Sequence, residues 1–330
     1  MRNLFVITCW CLVLTQTHAQ KRIHVSGKIS GFNSTEPTYV DFGGKLQQFM
    51  PAEDGSFSVD ASIRELPGTI RFVTPTAKGK IINKTPLIWV ASDSVKVNVD
   101  WLKQTFQSSA TTPFQSTSEK IEALKPKEQI DFTLNNSSSV VSLYFANMLK
   151  KDIAIDDLKK FCLNVKSEFG NTDYFKRIET YVAAKSLPTL KKGETVKDFT
   201  LPDKDGNQIQ VIKENNQPKL IALFSSSCQY SIASIALVEQ ISKLPNNNFE
   251  LITIWDDSDK ETWLTAYQDK KQKITWTNLW DGFEFASTYF ELSMLPTFYV
   301  VNADGKLTDV IEGVSKASLK RIKKIVQPEP

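Results

Sequence analysis

The stretch FSSSCQYS, Phe224 to Ser231, places one cysteine where an apolar run, KLIALF, gives way to a segment with helical spacing. A helix N-terminus offers backbone N–H groups that have no intrahelical acceptor, together with the positive end of the helix dipole, so it favours an anion. A thiolate is such an anion. Cysteine becomes more acidic in that position, and the thiolate is the attacking species in disulfide exchange. Cys228 is therefore the candidate nucleophile. Ser231, three residues on, can donate a hydrogen bond to its sulfur but cannot displace it.

Few residues compete with Cys228 for chemistry. Of four cysteines and two histidines in 330 residues, Cys9, Cys11 and His18 fall within the first 19. There Arg2, the apolar run Leu4 to Leu14 and the small-residue end at Ala19 have the three-part form of a secretory signal peptide. The run is too short for a spanning helix, which takes roughly 20 apolar residues. Cleavage after Ala19 is expected, giving a chain exported to the periplasm or cell envelope that keeps Cys162, Cys228 and His24. No transmembrane helix is expected in that mature chain.

So small a set of His and Cys argues against zinc or haem, and no metal or other cofactor is expected. A Ser-His-Asp hydrolase is disfavoured, because His24 belongs to a separate strand-rich region and no Gly-x-Ser-x-Gly elbow is present. Loss of Arg2 lowers the formal charge of +3 by one. The charges are interspersed, and the basic run Lys316 to Lys324 reads as the solvated face of a helix, so no nucleic-acid partner is expected.

The elements that position Cys228 are legible from periodicity. Residues 20–106 alternate in short period-2 runs (IHVSGKISGF, TYVDFGG, GSFSVDASI, TIRFVTP, LIWVASDSVKVNVDW) punctuated by Gly, Pro and Asp-Gly, which reads as an antiparallel β-sandwich-like domain. Residues 107–188 form a linker and helical segment. Gln107 to Thr117 is Ser/Thr/Gln-rich and reads as a loop, and Ile155, Leu158, Cys162, Val165 and Phe169 then fall on one helical face. On that stripe Cys162 reads as a buried small hydrophobe. Residues 189–330 alternate strand and helix: KLIALF, a helix from Gln229 to Leu244 stopped by Pro245, FELITIW, a helix from Asp259 to Lys270, TFYVV, an Asp304-Gly305 turn, KLTDVIEG and a last helix. This reads as an α/β domain around a mixed sheet flanked by helices.

Within that domain GETVKDFTLPDKDGNQIQV, Gly193 to Val211, resembles the lead-in segment of the TlpA/ResA-like envelope thioredoxins, and LSMLPTFYVVNADGKL resembles their cis-proline segment with the strand, turn and strand that follow. The resemblance runs from Gly193 to Val326. It implies a thioredoxin-like C-terminal fold, thiol-disulfide oxidoreductase activity, and protein thiols, disulfides or an extended protein segment as partners. The β-rich front and helical middle resemble the N-terminal extension of many Gram-negative members. Carried across, Cys228 falls on the nucleophilic cysteine and Ser231 on the resolving one. Pro296 falls on the cis-proline, and Gln229, Tyr230, Leu295 and Pro296 fall in the substrate groove, where the Leu295 backbone would pair with an extended segment.

The departures bear on activity. Ser227 stands where the family usually has Trp, Ala222 where a polar group often lies beneath the site, and Ser234 and Ala236 where Glu and Pro usually sit. With Ser231 in place of a second thiol, the resemblance implies monothiol or weakened exchange that depends on an external reducing thiol. The alternative is a catalytically silent thioredoxin-fold module that binds an extended segment. A one-cysteine peroxidase is disfavoured: Ser225 has the right spacing, but Ile221 replaces the expected proline.

Overall fold

The structure is a computed structural model that describes residues 21–32, 37–43, 45–75, 81–109, 112–213, 215–244, 249–270 and 274–326. The expected signal peptide and Pro245 lie outside the described residues. The chain divides into two compact units at Phe132/Thr133.

In the first unit, one sheet has the order Ser56–Ile63, Lys21–Ser30, Ser94–Asp100, Thr105–Ser108, and a second has Leu46–Phe49, Thr38–Asp41, Gly68–Pro75, Ile81–Lys84, with Ile88–Val90 also pairing Gly68–Pro75. Alternation drives the packing. In Ser94–Asp100 the residues Val95, Val97 and Val99 are buried while Lys96 and Asn98 are exposed, as a half-buried strand requires. Residues from both sheets share one core, which includes Val25, Val59, Val97, Val40 and Phe72.

One pairing departs from the antiparallel expectation. Lys21–Ser30 lies parallel to Ser94–Asp100, and the strands of the second sheet supply the long crossover that parallel pairing needs. The loop expected over Gln107 to Thr117 is also corrected. Thr105–Ser108 is a strand and Pro113–Glu122 a helix. Pro113 stands at its start and Thr112 caps it, accepting from Gln115 N–H, so residues that look like loop composition are a helix-start signal.

In the second unit, Lys219–Phe224 is the central strand of a five-stranded sheet ordered Thr277–Trp280, Glu250–Trp255, Lys219–Phe224, Thr297–Val301, Leu307–Glu312. The first three strands run parallel and the other pairings are antiparallel. Every residue of the central strand is buried, because both faces are covered, and this is why KLIALF reads as a continuous apolar run. Ile221, Leu223 and Ile252 pack towards Val196, Phe199 and Val211. Ala222, Phe224 and Trp255 pack towards Ile235, Val238 and Ile241 of the helix Gln229–Ser242, with Trp263 and Ile322 completing that face. This mixed sheet between helical layers is a thioredoxin-like α/β fold.

The helices Val140–Leu149, Ile155–Asn164 and Asp173–Lys185 belong to this unit, so the division of the chain falls inside the helical segment. Buried Arg177 secures them. It reaches Asp173 at 2.9 Å, Glu284 at 3.1 Å and the Gly282 carbonyl at 2.9 Å, and Lys150 meets the other oxygen of Glu284 at 3.0 Å. The expected apolar stripe is shorter than its spacing implied. The helix ends at Asn164, with Leu158 and Phe161 buried and Cys162 only half-buried. Among the described residues no helix is long and apolar enough to cross a membrane.

Candidate functional site

The central strand ends at Phe224, whose ring meets Trp255 and Phe298 edge-on at 5.6 and 6.1 Å. Beyond it the chain crosses Ser225, Ser226 and Ser227 and enters the helix Gln229–Ser242, with Cys228 at the N-cap in extended conformation. Cys228 makes no side-chain cap hydrogen bond. As a thiol its Sγ points at the Leu295 carbonyl, 3.7 Å away. Once ionised it faces donors instead. Partial burial pushes its pKa up, but the Ser231 amide, the Ser231 hydroxyl and the Tyr230 amide more than offset this, and Cys228 lies below the ordinary thiol value.

Ser231 is fully buried, and its Oγ accepts from Ser225 N–H at 3.3 Å. A hydroxyl that accepts there keeps its own proton free to donate, so its orientation suits an anionic sulfur beside it. The Leu295–Pro296 bond next to the Leu295 carbonyl is cis. Pro296 is buried, and its carbonyl accepts from Gly313 N–H at 2.8 Å. The structure thus brings Cys228, Ser231 and Leu295 together. Gln229 and Tyr230 lie on the exposed first turn of the helix, Tyr230 at 73% exposure. Met294 and Val314 add exposed apolar surface on the opposite segment.

Cys162 is a different kind of thiol. Burial and the Glu179 carboxylate push it up to about 11, and it is unbonded to Cys228, since both cysteines are free.

One functional candidate escaped the reading of the sequence. Asp257, at the exit of Glu250–Trp255, turns a buried carboxylate onto the serine loop, accepting from Ser225 Oγ, Ser226 N–H and Ser226 Oγ at 2.9–3.0 Å. Its burial raises its pKa against these hydrogen bonds. The available signal was the pair Asp256-Asp257 directly after an apolar strand parallel to KLIALF, facing three consecutive serines. Among the described residues no group of three or more metal-ligating side chains could hold a metal ion.

No family model matches this chain, and no curated protein matches it. Solved structures similar to it include the thioredoxin domain of a thiol-disulfide oxidoreductase from Bacteroides vulgatus (15% identity, 42% of this chain and 99% of that one, TM-score 0.37). A thiol-disulfide oxidoreductase from Bacteroides fragilis is similar at 21% identity over 40% of this chain and 99% of that one, TM-score 0.35. A secreted disulfide oxidoreductase from Mycobacterium tuberculosis is similar at 19% identity over 39% of this chain and 93% of that one, TM-score 0.34.

Proposed function

We propose that this protein is a monothiol thiol-disulfide exchange protein of the cell envelope, exported by residues 1–19, with Cys228 as its nucleophile. The observation that carries the reading is a thiol at a helix N-cap, its sulfur 3.7 Å from the Leu295 carbonyl, with the Ser231 hydroxyl and the Ser231 and Tyr230 amides placed to lower its pKa. The Cys228 thiolate attacks one sulfur of a substrate disulfide. The old S–S bond breaks, a Cys228–substrate disulfide forms, and the second substrate sulfur leaves as a thiolate that takes a proton from water. Ser231 has no sulfur with which to complete a second displacement. An external thiol therefore attacks the substrate sulfur, leaves joined to it as a new disulfide and restores the Cys228 thiolate.

The groove suits a peptide substrate. Tyr230, two residues from Cys228, and Met294, next to Leu295, offer exposed apolar contact, and the Leu295 carbonyl offers main-chain pairing. The same exposed apolar rim favours a second reading, in which the groove holds an extended segment without chemistry.

Incubating the native protein with a cystine-containing peptide separates the two. Exchange predicts one mixed disulfide per chain at Cys228, stable until a small thiol is added. If no adduct forms, while Cys228→Ser and the unaltered protein bind the peptide equally, the exchange reading is wrong and the binding reading holds.

A further inference from the structure

Resting on Cys228 as an exchange nucleophile, we propose that Asp257 is a positioning residue that sets the reactivity of Cys228 through the serine loop. Asp257 is 5% exposed and lies two residues beyond the end of the neighbouring parallel strand Glu250–Trp255, not in the serine loop itself. It takes Ser225 Oγ at 2.9 Å, Ser226 Oγ at 2.9 Å, and Ser226 N–H at 3.0 Å to one oxygen and 3.2 Å to the other. Its own main chain is held in turn, because Trp280 Nε1 donates to the Asp257 carbonyl at 2.5 Å and the Trp280 ring stacks on Trp263.

Ser225 passes this constraint on in two directions. Its N–H is donated to Ser231 Oγ at 3.3 Å, and its carbonyl accepts from Cys228 N–H at 3.1 Å. The first bond occupies an acceptor position of the Ser231 hydroxyl and leaves its proton for the sulfur. The second fixes the backbone of Cys228 at the N-cap. Burying a carboxylate is costly unless it is hydrogen-bonded, and an apolar residue would serve plain stability as well. The carboxylate here orders one loop, and that loop delivers the nucleophile.

Asp257 also supplies polarity at a site where the strand itself offers only Ala222. Its acidic neighbours Asp256 and Asp259 repel its charge.

The test is the pH dependence of iodoacetamide alkylation at Cys228 in the full chain carrying Cys162→Ser. Asp257→Asn keeps the size and one carbonyl acceptor but turns an NH2 group towards loop donors. The expected result is a midpoint raised by about one pH unit, a tenfold loss of thiolate at neutral pH. Ser225→Ala, which removes the hydroxyl link and keeps the N–H, should move it in the same direction by less. Combining Asp257→Asn with Ser231→Ala should shift the midpoint by less than the sum of the two single shifts, because part of the effect runs through that hydroxyl.

An unchanged midpoint in folded Asp257→Asn overturns the proposal. So does a lowered one, the result for a carboxylate acting only through its charge. If Asp257→Asn does not fold, Ser225→Ala decides: a raised midpoint supports the proposal and an unmoved one overturns it. A midpoint at or above about 8.5 in the parent protein instead removes the exchange reading itself, so the two failures are distinguishable.

Discussion

Ser231 is the residue on which the chemistry turns. Buried and bonded to Ser225, it stabilises the Cys228 thiolate as a donor but cannot relieve a mixed disulfide. Ser231→Ala should raise the Cys228 alkylation midpoint by roughly one to two pH units, since hydrogen bonds to charged groups contribute about 1.5–3 kcal/mol and one unit is about 1.4 kcal/mol. Ser231→Cys should have a qualitatively different effect. It gives Cys228 an internal sulfur partner, so a peptide disulfide is reduced and released in a single turnover without added thiol, as mass spectrometry of the protein and peptide would record. Persistence of the mixed disulfide in that variant would contradict the placement of Ser231 beside the sulfur. Cys228 itself was legible in the sequence because one strand hands it directly to one helix. Asp257 was not, because its relation to the serine loop exists only once two parallel strands are aligned with Phe224 opposite Trp255.

Elements with strong periodicity were legible and those defined by partners were not. KLIALF and TFYVV are the strands Lys219–Phe224 and Thr297–Val301 because uninterrupted apolar, β-branched or aromatic runs have one good environment, a sheet covered on both faces. Thr277–Trp280 is short and polar at Asn278, and it becomes a strand through pairing with Glu250–Trp255 and through the Asn278 side chain, which accepts from Trp255 Nε1 and Thr253 Oγ1. The helix Asp173–Lys185 shows the same dependence. Its buried Arg177 looks like surface charge in the sequence, yet it joins this helix to Glu284 and the Gly282 carbonyl. Removing a buried cation bonded to Asp173, Glu284 and the Gly282 carbonyl gives up all three contacts at once, so Arg177→Met should cost about 3 kcal/mol in denaturant unfolding. Removal of Lys185, which pairs with Glu291 at the surface, should cost less than about 1 kcal/mol.

Over the whole molecule, buried acids should make stability fall as pH rises through the mildly acidic range. Burial, then repulsion from Asp281 and Glu284, pushes Asp256 up to about 7, and burial pushes Asp281 up to about 6 against the amides of Phe285, Ser287 and Ala286. Both acids bind protons more tightly folded than unfolded, where carboxylates titrate near 4, so each ionisation between about pH 4 and 7 weakens folding. Glu284 is lowered through Lys150 and Arg177 despite its burial, and the stability it contributes is lost only below its unfolded value. The thermal midpoint should therefore decline from pH 5 to 7.5. Asp256→Asn should flatten that decline, and a variant with the full wild-type slope would refute the assignment. Asp281→Asn is the poorer probe, because its carboxylate also accepts from the amides that start the helix Phe285–Tyr289. The two-unit division was only partly legible: the change from period 2 to helical spacing marks the end of the sandwich, but which helices join which core depends on packing.

The most direct measurement is the pH dependence of Cys228 alkylation in the otherwise unaltered chain carrying Cys162→Ser. A midpoint well below the free-thiol value of about 8.5 is the result expected of a thiolate held at a helix N-cap by Ser231 and Tyr230. A midpoint at or above that value, or labelling that begins only on unfolding, would contradict the account and leave the groove between Cys228 and Leu295 as a binding surface without chemistry.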